Sequence, residues 1–460
     1  MSAITTPEHL ENVEPLQSPL GRHIIQPGAH LLIRLPSKEV RQVRLDKEPG
    51  EKTINFGKFG SLKQKYLVGQ PFGLTYEIQQ DKSLLVQPPQ RLEELEDTGA
   101  TNEQIVDRGE FVQPLTAAEI ELLKKSGLHA SEIIKRQIET HVNYELKTEY
   151  SKDKYRKRKE AKFAKQITVL QPSLFNVASY LFDKDPVKIQ YLRVDTLGQI
   201  ANLANLRPGG KFIVIDSIGG LLVATALERL GGEGTVLYIT EADSPPQFPI
   251  IDLLNMPEEH TTILKYLDWA SVDEEHDPIR APIEPEGEYR SEGQKGRYEK
   301  RRQIIEAYER LREELFAGEW DGLLIASQYE PFSIVQCLTP YLAGSASITV
   351  YSQYLPILTE LQSKMRPLPA YLNPSITEAW LRQYQVLPGR THPLMNMTGS
   401  GGYILHATHV YDDKKALSAL AGFRQRLKQR RRAKEGAGSS EGDQGHMQED
   451  VDMEDTNSTS

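Results

Sequence analysis

Lys211-Phe-Ile-Val-Ile-Asp-Ser-Ile-Gly-Gly-Leu-Leu-Val-Ala-Thr-Ala-Leu-Glu-Arg229 is the stretch on which the reading of this chain turns. Lys211–Asp216 is an apolar, β-branched run that ends on an acid. Ser217–Gly220 reads as a turn, and Leu221–Leu230 has helical composition. Cofactor turns that bind a dinucleotide or adenosylmethionine follow the same order of strand, acid, turn and helix. They also carry glycines spaced Gly-x-Gly-x-x-Gly or Gly-x-Gly-x-Gly, which let ligand and backbone approach closely and supply special backbone angles. Aligned on Asp216, this chain has Ile218 at the first glycine position and Leu222 at the third; Gly220 keeps its place, with Gly219 before it. A branched Ile and a Leu fill ligand space and disfavour positive φ. Two readings follow: a vestigial cofactor turn at Asp216, Gly219 and Gly220, or an ordinary α/β turn that happens to hold two glycines.

The neighbouring segments extend the pattern. Thr235-Val-Leu-Tyr-Ile-Thr-Glu241 reads as the next strand, and Glu241 ends it where such folds grip a ribose hydroxyl. Trp320-Asp-Gly-Leu-Leu-Ile-Ala326 and Ala346-Ser-Ile-Thr-Val-Tyr351 read as further strands. Helical segments at Leu197–Leu206, Tyr298–Phe316 and Ile334–Tyr341 lie among them. Alternating β and α elements predict a doubly wound sheet over residues 167–420. Trp380–Leu387 and Gly402–Ala407 are expected to close it as an antiparallel pair. The residues that follow the Trp320 strand are Ser327 and Gln328, neither of them a good general base near neutral pH; Glu330 is a displaced substitute. Residues 271–297 read as a charged, mobile insertion.

Upstream, short β-type runs at Leu31–Leu35, Val40–Leu45, Thr53–Phe56 and Leu74–Ile78 are separated by Gly, Pro and Lys. That spacing predicts a small antiparallel sheet or barrel within residues 21–90. Residues 1–20 are expected to be flexible and 91–113 to form a linker or loop. A helical basic connector is expected over 114–166, opened by the capping-box pattern Thr116-Ala-Ala-Glu119. From 421 to 460 the chain becomes basic, then acidic, with the composition of a disordered tail.

Within the connector, Lys147-Thr-Glu-Tyr-Ser-Lys-Asp-Lys-Tyr-Arg-Lys-Arg-Lys-Glu-Ala-Lys-Phe-Ala-Lys165 concentrates positive charge. Lys147, Lys152, Lys154, Tyr155, Arg156, Lys157, Arg158, Lys159 and Lys162 are the expected RNA contacts, because cations in helical register track a phosphate backbone and Tyr can stack. The competing reading is a solvated helix face with its aromatics in the core. Arg424–Lys434 reads either as a second contact or as a nuclear import signal. Phe56-Gly-Lys-Phe-Gly-Ser61 lacks P-loop spacing and reads as a turn, with Lys58 a phosphate contact at most.

Composition narrows the classes. The chain has 460 residues, a net charge of −9 and a single cysteine, Cys337. A net negative field excludes a globally basic nucleic-acid binder, so any RNA contact is local. One cysteine excludes an intramolecular disulfide and a multi-thiolate zinc site, and suits a reducing compartment. His392, His406 and His409 lack metal-ligand spacing. The start carries no secretory pattern, and the most apolar stretch, Phe212–Leu230, is interrupted by charges and glycines, so no membrane span is expected.

Four motifs together resemble one family. They are Phe56-Gly-Lys-Phe-Gly-Ser, Gly69-Gln-Pro-Phe-Gly-Leu-Thr-Tyr-Glu-Ile, the basic run from Lys147 to Lys159, and Tyr384-Gln-Val-Leu-Pro-Gly-Arg-Thr-His-Pro393. They occur in the order found in the non-catalytic subunit of the eukaryotic tRNA (adenine-58-N1)-methyltransferase, and the resemblance runs from about Ile24 to Val410. Residues 90–113 and both termini lie outside it. It implies an α/β chain in which an N-terminal small β-barrel precedes a Rossmann-like, methyltransferase-type domain with a degraded cofactor site. No catalytic, cofactor or metal residue is implied in this chain; S-adenosylmethionine would sit in a related catalytic partner. The implied partners are tRNA and that subunit, paired and doubled into a heterotetramer, and the implied place is the nucleus. Arg390 is implied to lie near the subunit interface or the RNA. The alternatives are a self-sufficient adenosylmethionine-dependent RNA methyltransferase that uses Glu241 for ribose, and a scaffold with no RNA role.

Overall fold

A computed structural model describes residues 23–87, 119, 122–123, 130–139, 152, 156, 159, 164–242, 244–273, 275–276, 292–386 and 391–411. The N-terminal part contains β1 (His30–Arg34), β2 (Val40–Arg44), β3 (Thr53–Asn55), β4 (Ser61–Lys63), β5 (Thr75–Ile78) and β6 (Leu84–Val86). Helix α1 (Ala130–Glu139) follows, with Ile133 and Ile134 buried. Next comes β7 (Gln166–Leu170), which pairs antiparallel with both β1 and β5. The resulting five-stranded sheet has the order β2-β1-β7-β5-β6, while β3 and β4 pair separately as a hairpin. The short strands are legible in the sequence, but by position Gln166–Leu170 groups with the domain that follows it. Its alternating burial suits either sheet, so only the partner strands decide the matter.

Along β1, Leu31 and Ile33 pack into the N-terminal core with Phe56, Leu62, Tyr76 and Val169. Leu32 points to the other face and joins the core of the larger domain. Period-two alternation therefore places one strand between two cores, which is why Leu31, Leu32 and Ile33 are all fully buried. The junction is also hydrogen-bonded: Asn255 accepts from His30 N at 2.7 Å and donates to His30 O at 2.9 Å.

The larger domain continues with α2 (Leu174–Lys184), α3 (Val194–Leu203), β8 (Lys211–Asp216), α4 (Leu221–Leu230), β9 (Thr235–Thr240), α5 (Pro249–Leu253), α6 (Glu258–Thr261) and β10 (Leu264–Asp268). Beyond these lie α7 (Glu292–Phe316), β11 (Trp320–Ala326), α8 (Pro331–Leu338), β12 (Leu342–Ser352), α9 (Leu355–Met365), β13 (Tyr371–Glu378), β14 (Tyr384–Gln385), β15 (His392–Pro393) and β16 (Tyr403–His409). Seven strands form one sheet in the order β10-β9-β8-β11-β12-β16-β13. The first five are parallel, and β16 runs antiparallel between β12 and β13.

Both faces of this sheet are covered. Phe212 and Val214 pack with α2, α3 and α4, whereas Ile213 and Ile215 pack with α8, α9 and the end of α7. A strand buried on both sides reads as a continuous apolar run, which is what Phe212–Ile215 is. Each such side chain contributes about 1.5–3 kcal/mol through burial.

Two expectations are corrected here. Strand β16 is closed by β13, not by Trp380–Leu387; among the described residues of that segment only Tyr384 and Gln385 pair, with His392 and Pro393. Pro374 argues against a strand at Tyr371–Glu378, but β13 is an edge strand with a register shift between Leu372 and Ser375, where proline is tolerated. The expected insertion at 271–297 is structured at both ends: Ser271 and Val272 are buried, and α7 begins at Glu292. The expected capping box at Thr116–Glu119, the 1–20 and 91–113 segments and the 421–460 tail lie wholly or mainly outside the described residues.

Candidate functional site: a filled cofactor turn and a basic helix

The strand order reverses between β8 and β11, and α/β proteins place ligands at the carboxyl ends beside that reversal. Asp216 ends β8 and pairs with Ala326 at the end of β11; Ser217 N donates to Ala326 O at 2.8 Å. The Asp216 carboxylate is committed to its own turn. One oxygen accepts from Ile218 N at 2.8 Å and Gly220 N at 3.0 Å, the other from Leu222 N at 2.7 Å and Val223 N at 3.2 Å. These include orphan amides at the start of α4, which lacks a capping side chain at Gly220 itself. Burial pushes the Asp216 carboxyl above its usual range, against the pull of those four N–H donors.

Gly219 and Gly220 both adopt positive φ, +76° and +86°. At Gly220 a Cβ would lie 2.4 Å from Cδ1 of Phe248 and 3.3 Å from Cγ2 of Ile250. Phe248 in turn meets Tyr238 edge-on, with ring centroids 5.0 Å apart at 82°. Ile218 and Leu222 are buried in the same core. The space above the turn is therefore occupied by protein: Ile218 and Leu222 from within it, Phe248 and Ile250 from the segment after β9. The sequence points to residues 218 and 222. It does not point to Phe248, since nothing local to it signals a contact with a turn so far upstream.

Beside the filled turn a cavity of about 350 Å³ remains, lined by Asp216, Ser217, Tyr238, Glu241, Trp269 and Tyr329 among others. Glu241 does stand at this cavity, as expected for the end of β9. Its carboxylate accepts from the Tyr329 hydroxyl, which raises that phenol above its ordinary value. Burial and the Asp216 charge likewise hold Tyr238 protonated.

The end of β11 brings no base forward. Ala326 is buried and is followed by Ser327 and Gln328. Glu330, the displaced substitute, is spent on structure. Its carboxylate caps α8 by accepting from Ser333 N at 2.6 Å and pairs with Lys364 at 2.9 Å. Burial is the largest single influence and raises the Glu330 carboxyl, but Lys364 and Ser333 together outweigh it and hold it below the usual range.

Of the basic connector, Lys152, Arg156 and Lys159 are described and helical; Arg156 is exposed and the two lysines are half-buried. Their spacing of four and three residues places them on one helix face. Lys147, Lys154, Tyr155, Lys157, Arg158, Lys162 and Arg390 lie outside the described residues. Lys58 is exposed and sits 4.8 Å from the Phe59 ring centroid. Among the described residues no group of His, Cys, Asp and Glu is placed to hold a metal ion. His409 is buried with Nδ1 2.9 Å from Ala343 O, and burial lowers the pKa of His406.

A second arrangement is not legible in the sequence. Arg193 forms a bidentate pair with Asp195, at 2.7 and 2.8 Å, and reaches the carbonyls of Thr398 at 3.1 Å and Ala379 at 3.2 Å. Asp195 also accepts from Leu381 N at 3.0 Å. The pair thus ties down both ends of the segment that carries β14 and β15. Burial raises the Asp195 carboxyl, but Arg193 and two backbone N–H groups outweigh it and hold it below its usual range.

Comparison with known proteins gives this geometry a context. The chain is 30% identical to the tRNA (adenine(58)-N(1))-methyltransferase non-catalytic subunit TRM6 of Debaryomyces hansenii, over 86% of this chain and 89% of that protein. It is 29% identical to the protein of the same description from Mus musculus, over 86% of this chain and 90% of that one. Among solved structures it is similar to a SAM-dependent O-methyltransferase from Thermotoga maritima, with a TM-score of 0.47 and 12% identity over 85% of this chain and 97% of that one. The Gcd10p family profile matches residues 24–300, more than half of the chain. With a profile match of that extent and a relative at 30% identity across most of its length, the chain belongs to the Gcd10p family.

Proposed function

We propose that this chain is the non-catalytic, tRNA-binding subunit of a tRNA 1-methyladenosine-58 methyltransferase complex, and that a related partner subunit binds S-adenosylmethionine and transfers the methyl group. The observation that carries this reading is the filled turn: Phe248 stands over Gly220, with Ile218 and Leu222 buried beside it. A cofactor held on such a turn needs the space over the glycines and the turn amides; here side chains hold that space and Asp216 the amides, while the cavity beside Glu241 stays open. The relatives' descriptions and the absence of an acid or base at Ala326–Gln328 agree with it.

On this reading the chain contributes position, not chemistry. The N1 of an adenine folded into a tRNA elbow must be exposed before it reacts. Holding the substrate in register contributes several powers of ten in rate. The basic helix through Lys152, Arg156 and Lys159 supplies the phosphate contacts, and Arg390 lies near the partner or the RNA. Two such pairs assemble as a heterotetramer in the nucleus, with Arg424–Lys434 as the import signal or a further contact. The N-terminal antiparallel sheet and the β3–β4 hairpin share one core, which supports a small-barrel reading of that domain.

Calorimetry tests the reading. S-adenosylmethionine should give no heat with the isolated chain and one saturable isotherm with the assembled complex. Micromolar binding to the isolated chain would instead favour a self-sufficient methyltransferase.

A further inference from the structure

The carboxyl ends of β11 and β12 enclose a second cavity, of about 300 Å³, on the far side of Gln328 and Tyr329 from the filled turn. Among the described residues no Asp, Glu, Lys or Arg lines it. Its walls are apolar at Val187, Ile325, Val350 and Ile357, and aromatic at Tyr329 and Tyr354. Tyr329 and Tyr354 are 54% and 58% exposed, far more than tyrosines packed for stability alone. Gln328 and Gln353 bring amides, which both donate and accept.

These features specify a ligand class. Pockets for small molecules begin at about 300 Å³, so there is room for one planar heterocycle and little else. A pocket without ionised groups does not suit a phosphate, a carboxylate or an ammonium ion, each of which would be desolvated without a counter-charge. Aromatic faces flanked by amides suit a nucleobase, which stacks on the ring and pairs its edge with the amide. Ser327 and Gln328, which follow β11 and bring no general base near neutral pH, thus form part of the cavity wall.

We infer that this cavity receives one unstacked base of the bound RNA, held between Tyr329 and Tyr354 and recognised by Gln328 and Gln353, without reacting. The inference rests on the tRNA-binding reading above and adds to it a base-specific contact separate from the cationic helix.

The test uses the full chain assembled with its catalytic partner. Tyr354→Ala and Gln353→Ala are compared with the wild type by fluorescence anisotropy on a labelled tRNA transcript over a salt series. Loss of one stacked base should weaken binding on the order of tenfold for Tyr354→Ala. The salt slope should stay unchanged, since every phosphate contact is kept. A 4-thiouridine-substituted tRNA, irradiated in the wild-type complex, should cross-link to Tyr329 or Tyr354.

Unchanged affinity with no such cross-link overturns the inference. So does a weaker affinity with a shallower salt slope, which would report displaced phosphates. Loss of assembly in either variant overturns it as well, because the cavity would then seat a side chain of the partner. Charge reversal of Arg156, Lys157, Arg158 and Lys159 run in parallel separates the two claims. If that variant loses tRNA and the pocket variants do not, only the pocket assignment fails. If neither does, the tRNA-binding reading fails with it.

Discussion

Substituting Gly220 with alanine tests most directly whether the turn is filled. Its φ of +86° lies in the left-handed region, where an L side chain costs about 1–2 kcal/mol. The new Cβ would also lie 2.4 Å from Cδ1 of Phe248, closer than carbon atoms can approach, so Phe248 must move. Forcing an extra carbon into a packed core costs about 1–3 kcal/mol. The two effects together give Gly220→Ala a penalty of about 2–5 kcal/mol. For a domain of this size each kcal/mol lowers the melting temperature by about 2–4 °C, so differential scanning calorimetry should record a large shift.

The steric share can be separated from the backbone share. In the Gly220→Ala/Phe248→Ala double variant the clash with Phe248 is gone; the φ cost, the tight 3.3 Å approach to Ile250 Cγ2 and the lost burial of the Phe248 ring remain. The coupling between the two substitutions should be about 1–3 kcal/mol and favourable. A purely additive cycle, or a Gly220→Ala variant that melts within a degree of wild type, would show that Phe248 does not stand over the turn in solution. An open turn would in turn remove the observation on which the non-catalytic reading chiefly rests.

Further expectations follow from the same geometry. Arg193→Met leaves the half-buried Asp195 carboxylate without its partner and should cost about 1–3 kcal/mol, with faster limited proteolysis between Ala379 and Gly401. Because the folded Asp195 carboxyl is depressed, its stabilisation is present above the ordinary carboxylate range and is lost as pH falls below about 4; urea midpoints measured from about pH 6 to 3 should show this drop in wild type and a smaller one in Asp195→Asn. Asp216→Ala strips the acceptor from four turn amides and should destabilise by several kcal/mol, seen as hydrogen exchange of Ile218–Val223 rising well above that of β9. Charge reversal at Arg156–Lys159 should weaken tRNA binding by the assembled complex and flatten its salt dependence, because each phosphate that is no longer neutralised keeps its condensed counterion.

Much of the larger domain can be read from the sequence because its signals are local. Phe212–Ile215 is apolar without interruption since both faces are covered, and Leu221–Leu230 follows a turn whose glycines must take positive φ. The departure at Ile218 and Leu222 is equally legible, because a missing glycine is a property of one position. Partners distant along the chain are not. Strand β7 fits two sheets by pattern, and only its ladders with β1 and β5 assign it; Tyr371–Glu378 looks unlike a strand until its place at the sheet edge is known. Likewise the sequence by itself determined that the turn has Ile218 and Leu222 where a cofactor turn carries glycines, since backbone freedom belongs to the residue that carries it. That Phe248 and Ile250 occupy the vacated space, that Glu330 is consumed as a cap, and that Arg193 ties down a segment near residue 400 were decided only by the tertiary structure, because side chains remote along the chain meet there and no periodicity records their meeting.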